Sequence, residues 1–305
     1  VTRPTRGTSA GRAYNDLRNL ARRDGRDVAE YLTLYGLEGF LARLAASKHA
    51  EDFVLKGGVL MAAFAARRPT RDVDLAASGL PNDIDDVAEH VRQIVAVDLD
   101  DGLEFDLASV FGEEIRDEAD YTGVRAKVTA RLATARIALH VDVNFGDPIW
   151  PAPARTEVPR LLGGVVELMG YPDHMVLAEK IVTAVERGTA NTRWRDFVDI
   201  AALARTRHIR QSDLAPAIEH VAVYRGVVLQ PLNVVLDGMA AVAQTRWAQW
   251  RRKQRLEAST PERFQELLDE IVAFTGPALD GSSENRTWDP ETSAWQTPRV
   301  VSTTA

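Results

Sequence analysis

The stretch Phe53 to Ser78, FVLKGGVLMAAFAARRPTRDVDLAAS, constrains this chain more than any other. A short apolar run, Phe53 to Leu55, meets Lys56 and the pair Gly57 and Gly58. A helix-like segment, Val59 to Ala66, follows, and basic Arg67, Arg68 and Arg71 lead into Asp72, Val73, Asp74 and Leu75. The order predicts strand, glycine turn, helix, strand. Glycines at such a turn let backbone N–H groups approach a phosphate closely, with the positive end of the next helix behind them. Side chains alternate along a strand, so Val73 and Leu75 face one way while Asp72 and Asp74 face the other. Two carboxylates on one face repel unless a cation compensates them, and two residues apart they can share a hard metal ion. Either piece alone is commonplace in surface strands and turns; together they point to metal-assisted phosphate chemistry.

The run K-G-G, an interval of about a dozen residues and then R-D-V-D-L resembles the nucleotidyltransferase signature, specifically that of the AbiEii-type toxins of bacterial toxin–antitoxin pairs. The resemblance implies that Lys56, Gly57, Gly58 and Arg71 serve nucleotide binding. It also implies that Asp72 and Asp74, with a third carboxylate on a later strand, hold Mg²⁺, in one or two ions, on a nucleoside triphosphate. Val59 departs from the hydroxyl residue that many nucleotidyltransferases carry after the glycine pair.

The third carboxylate has a matching position. Val124 to Leu132 and Arg136 to Asn144 each alternate apolar and polar residues, the signature of a hairpin. With Ala133 and Thr134 as the turn, Asp142 in H-V-D-V-N-F falls opposite Arg125, and His140 opposite Lys127. Asp142 is then either an ion-pair partner of Arg125 or the resemblance's third catalytic and metal-binding acid. Further on, Glu179-Lys180 on a helix and R-W-R-D-F-V-D resemble later family segments. They imply catalytic and nucleotide-binding roles for Lys180, nucleotide binding for Arg193, and supporting roles for Asp196 and Asp199, which orient Lys180.

Composition narrows the setting. The 305 residues contain no cysteine, which excludes thiolate chemistry and leaves oxygen and imidazole as the strong metal ligands. No apolar stretch approaches the length of a membrane span and no signal-peptide core is evident, so a cytoplasmic protein without a membrane partner is expected. Net charge is −7, but residues 83 to 120 hold fourteen acids and two arginines, leaving the remainder at +5. Seven arginines in the first 26 residues, and Trp247, Trp250, Arg251, Arg252, Lys253 and Arg255 later, suit an anionic macromolecule. A solvated helix face and a basic last helical turn would explain the same residues.

The expected fold class is α+β: a nucleotidyltransferase-like domain with a mixed sheet and N-terminal helices over 1–150, then a helical domain over 151–280. Residues 281–305, rich in Ser, Thr, Pro and Asp, are expected to form a disordered tail. The resemblance implies an enzyme transferring a nucleoside monophosphate from a triphosphate, ATP or GTP among them, to RNA, with the tRNA 3′ end as the favoured acceptor, and neutralised by a cognate antitoxin; DNA is not expected as a partner. A small-molecule nucleotidyltransferase, a protein adenylyltransferase and a non-catalytic binding module are the alternatives.

Overall fold

The structure, a computed structural model, describes residues 4–64, 70–116, 122–146, 149–281 and 285–297. Arg67 and Arg68 lie outside the described residues. Two compact units emerge, one comprising residues 1–63, 67–147 and 153–171, the other 64–66, 148–152 and 172–305.

The first unit opens with α1 (Ser9–Arg23) and α2 (Val28–Ala46). Thr8 caps α1 by accepting from the Gly11 N–H, and Asp27 caps α2 by accepting from Ala29. β1 (Phe53–Lys56), α3 (Gly57–Phe64) and β2 (Asp72–Ala77) follow in the expected order. Next come α4 (Ile84–Val95), capped by Asp83, and the strands β3 (Leu103–Arg116), β4 (Thr122–Leu132), β5 (Ala135–Asn144), β6 (Ala154–Pro159) and β7 (Val165–Gly170). The seven strands form one mixed sheet in the order β3-β4-β5-β2-β1-β7-β6. The β4–β5 hairpin turns at Ala133, which takes the left-handed φ of 52° such a turn requires. Its register sets Arg125 opposite Asp142 and Lys127 opposite His140.

Gly36 and Gly39 interrupt the apolar surface of α2 for a packing reason. A Cβ on Gly39 would lie 2.2 Å from Leu103 Cδ1, and one on Gly36 3.1 Å from Leu139 Cδ2, so the bare backbone lets helix and sheet close together. Buried Arg43 donates to both carboxylate oxygens of Asp101 at 2.7 and 3.1 Å and to the Leu103 carbonyl, tying α2 to the start of β3. Pairing and hydrogen bonds satisfy a charge that would otherwise be costly to bury.

The boundary expected at residue 150 falls elsewhere. β6 and β7 lie past residue 150 yet complete the first unit's sheet, with Leu55 paired to Gly170. Prolines are tolerated there because β6 is an edge strand, needing fewer backbone donors.

The second unit is built of α5 (Asp173–Arg187), α6 (Trp194–Thr206), β8 (Ile209–Arg210), α7 (Gln211–Arg225), α8 (Leu232–Val235), α9 (Met239–Gln254) and α10 (Phe264–Leu279), then β9 (Thr287–Asp289) and β10 (Ala294–Gln296). Within the segment expected to be disordered, these last two strands show order over residues 287–289 and 294–296. They pair with each other and with β8. Trp288 is buried against the Phe274 ring, its Nε1 donating to the Ala204 carbonyl at 2.7 Å, and Trp295 stacks on Phe274 and meets Trp288 edge-on. Two indoles supply the apolar area that the polar composition around them conceals. Among the described residues no helix is long and apolar enough to cross a membrane.

Candidate active site

Asp74 is the centre of the first unit's polar cluster. Val73 and Leu75 are fully buried, so alternation turns Asp72 and Asp74 to the opposite face of β2. β2 is central in the sheet: antiparallel β1 sets Lys56 opposite Asp74, and parallel β5 sets Asp142 beside it, with His140 beside Asp72. Three carboxylates and one lysine from three adjacent strands are thereby gathered.

The glycine turn meets this cluster directly. Gly57 adopts φ 68°, and a Cβ there would stand 1.9 Å from Asp74 Oδ2, so residue 57 must lack a side chain for the carboxylate to fit. The Gly58 N–H, at the start of α3, donates to the same oxygen at 3.3 Å. Thr70 donates to Asp72 Oδ1 at 3.3 Å. Lys56 is 6% exposed, its Nζ 5.7 Å from the centre of the Tyr171 ring. Neither Thr70 nor Tyr171 was legible as a neighbour of the site, since each belongs to a different segment or carries no motif. Arg71 is exposed, and Val59, where a hydroxyl was looked for, is buried in the apolar core.

The electrostatics of the cluster are those of crowded, partly buried carboxylates. Burial, then the negative charge of Asp72, push the Asp74 carboxyl up to about 6; Asp142 adds to this, against the opposing pull of Lys56 and the Gly58 N–H. Asp142 is clamped by Arg125, whose Nε and Nη2 donate to its two oxygens at 2.7 and 2.6 Å. That hydrogen-bonded pair raises the arginine's pKa further, so it remains a fixed cation. Each oxygen of Asp142 keeps a second lone pair. An all-oxygen set of three carboxylates, one of them destabilised by its like-charged neighbours, fits a hard divalent ion such as Mg²⁺.

The residues expected farther along the chain form their own network in the second unit. Lys180 of α5 is 8% exposed, and its ammonium lies 2.9 Å from Asp196 Oδ1 and 2.8 Å from Asp199 Oδ2, both on α6. Arg193, half exposed, holds the other oxygen of Asp196 at 2.6 Å. Burial would raise the Asp196 carboxyl, but the charges of Lys180 and Arg193 outweigh it and hold the group at about 2.

Comparison with known proteins agrees with the motif order. Residues 39–271 match the sequence profile of the family described as nucleotidyl transferase AbiEii toxin, type IV TA system. The chain belongs to the AbiEii family. It is accordingly a nucleotidyltransferase of the toxin–antitoxin type. No curated protein sequence matches it. Among solved structures this AbiEii chain is similar to JHP933 from Helicobacter pylori, at 12% identity, with 88% of this chain and 92% of that one covered and a TM-score of 0.47. It is also similar to an H. pylori structure described as a nucleotidyltransferase, at 14% identity, 88% and 95% coverage and a TM-score of 0.46. An antigenic nucleotidyltransferase-like protein from Paracoccidioides brasiliensis shows 15% identity, 78% and 92% coverage and a TM-score of 0.35.

The surfaces expected to bind nucleic acid are partly committed elsewhere in this AbiEii protein. Trp247 is fully buried, packed on Trp250, Trp194 and Phe264, so it cannot stack on a base. Arg251 donates to the carbonyls of Thr260 and Glu257 and secures the chain after α9. Near the N-terminus Arg6, Arg23 and Arg26 pair with Asp16, Asp24 and Glu30. The mixture of aromatic and basic residues on α9 reflects a buried stripe beside a polar one.

Proposed function

We propose that this AbiEii protein transfers a nucleoside monophosphate from a triphosphate to an RNA hydroxyl, the tRNA 3′ end first, in a Mg²⁺-dependent reaction that a cognate antitoxin blocks. The observation that carries this reading is the alignment of Asp74 with Asp142 across parallel strands and with Lys56 on the other side. Asp72, Asp74 and Asp142 would hold the metal, which when bound supplies charge neutralisation on the triphosphate and polarises the reacting oxygens. Lys56, Arg71 and the N–H groups of Gly57 and Gly58 bind phosphate oxygens. The acceptor hydroxyl oxygen attacks the α-phosphorus, the bond to the bridging oxygen breaks, and pyrophosphate leaves with that electron pair. The hydroxyl proton passes to the Asp142 carboxylate, kept in one orientation by Arg125. Lys180 and Arg193 are proposed to offset phosphate charge, with Asp196 and Asp199 fixing the lysine.

An RNA acceptor rests on the charge distribution, basic once residues 83 to 120 are set aside. A single-stranded 3′ end offers its hydroxyl without duplex opening. The test supplies purified tRNA, each labelled triphosphate in turn and Mg²⁺, with and without prior periodate oxidation of the tRNA. Labelling that oxidation abolishes is expected. Undiminished labelling of oxidised tRNA, or label found only in protein or small molecules, would overturn the acceptor assignment while leaving nucleotidyl transfer intact.

A further inference from the structure

A second cluster of metal-ligating side chains lies at the other end of β1. Lys56 closes that strand beside Asp74, whereas Phe53 opens it opposite Ala77, about 10 Å away at the usual rise of a strand. Just before Phe53, the turn joining α2 to β1 carries His49 and Asp52, and α4 brings His90 against them. One donor atom from each of the three lies within 4.8 Å of the others.

The surrounding hydrogen bonds select which lone pairs face inward. His90 Nδ1 lies 2.7 Å from the Asp86 carbonyl, so it carries the proton and leaves Nε2 with its lone pair. His49 Nε2 lies 2.9 Å from Gln93 Oε1, and the Gln93 amide nitrogen donates to Glu89, which fixes the amide and makes His49 Nε2 the donor. His49 Nδ1 then faces Asp52 Oδ2 at 2.8 Å. A neutral imidazole in this tautomer would point a lone pair at a carboxylate, so a cation is required between them, either a proton or a metal. Outer nitrogens held by a carbonyl and a side-chain amide are the arrangement that orients metal-binding histidines. The His90 ring packs edge-on against His49, with centroids 4.6 Å apart, and near the buried Phe53 ring, which gives the cluster an apolar wall.

We infer that His49, Asp52 and His90 form a binding site for one d-block divalent cation of the zinc class, separate from the carboxylate cluster around Asp74. Two imidazoles and one carboxylate suit Zn²⁺ or Co²⁺, whereas Mg²⁺ favours the all-oxygen set on β2 and β5. Ligand distances of about 2.0–2.2 Å set the donors of a tetrahedral site roughly 3.4 Å apart, so Asp52 Oδ2, 2.8 Å from His49 Nδ1, must swing slightly away from it to share an ion. The Asp52 side chain, 37% exposed, has the freedom to do so, while its backbone carbonyl is anchored by the Ser78 N–H. Water completes the coordination.

The test titrates chelator-treated full-length protein, free of any histidine tag, with Zn²⁺ alone by calorimetry and thermal melting, and records the visible spectrum of the Co²⁺ form. One Zn²⁺ per chain is expected, with a raised melting temperature. Binding should persist in Asp72→Asn/Asp74→Asn and weaken at least tenfold in His90→Gln and in Asp52→Asn, with altered Co²⁺ bands in both. Gln93→Ala, which removes only the support of His49, should weaken binding by about tenfold. Circular dichroism checks that each variant folds. The inference is overturned if Zn²⁺ fails to bind stoichiometrically, if it binds folded His90→Gln and Asp52→Asn as well as wild type, or if it is lost in Asp72→Asn/Asp74→Asn instead.

Discussion

Asp74 occupies the space that any side chain on residue 57 would fill, so the glycine that reads in the sequence as a phosphate turn is also the condition for placing a carboxylate. The same carboxylate is buried and held near two others, and burial first, then that crowding, raise its pKa. Replacing it by an uncharged isostere removes burial cost and repulsion that outweigh the attraction of Lys56 and one long hydrogen bond from Gly58. Asp74→Asn is therefore expected to abolish nucleotidyl transfer without lowering the melting temperature. Incorporation assays and melts on the same preparation check both halves; turnover at the wild-type rate would remove Asp74 from the reaction.

Among the elements, α5 and α6 are joined by a charge cluster, Lys180 held between Asp196 and Asp199 with Arg193 on the outer oxygen. The family resemblance implied that both aspartates orient Lys180, and the packing of α5 on α6 is what buries the ammonium between them. The pH dependence follows from Asp196. Its folded pKa, about 2, lies below the ordinary 3.8, so the folded state favours the ionised form. The resulting stability is fully present above about pH 4 and is lost as pH falls through about 2, an effect of order 2 kcal/mol. Urea unfolding of wild type and Asp196→Asn at neutral pH and near pH 2.5 is expected to show the gap between them narrowing in acid. A gap that stays constant would mean that the pairing contributes no differential proton binding.

On the scale of the whole molecule, each unit has its own core, and the second extends farther along the chain than composition suggested. β9 and β10 close a small sheet on β8, and Trp288 inserts into the cluster around Phe274. Trp288→Ala is expected to destabilise the protein by about 3–5 kcal/mol, the range for emptying a buried aromatic site. Denaturant unfolding followed by far-ultraviolet circular dichroism measures it. A disordered segment would show no change.

Local pattern was sufficient for much of this. Period-two alternation placed Asp72 and Asp74 on one face and paired Arg125 with Asp142, because a hairpin with a two-residue turn has one register that keeps its apolar residues together. Motif order identified the nucleotidyltransferase family, since its parts must recur in one sequence to build one site. What the chain could not disclose locally was the parallel pairing of β2 with β5. Their register, Asp74 beside Asp142, joins residues far apart in sequence and depends on the sheet they share. Burial was equally hidden. Trp247 and Trp288 sit among polar neighbours, and only packing decides whether an indole faces a ligand or the core. The meeting of His49 and Asp52 with His90 belongs to the same class, because two loop residues and a helix residue acquire a common centre only when α4 lies against the start of β1.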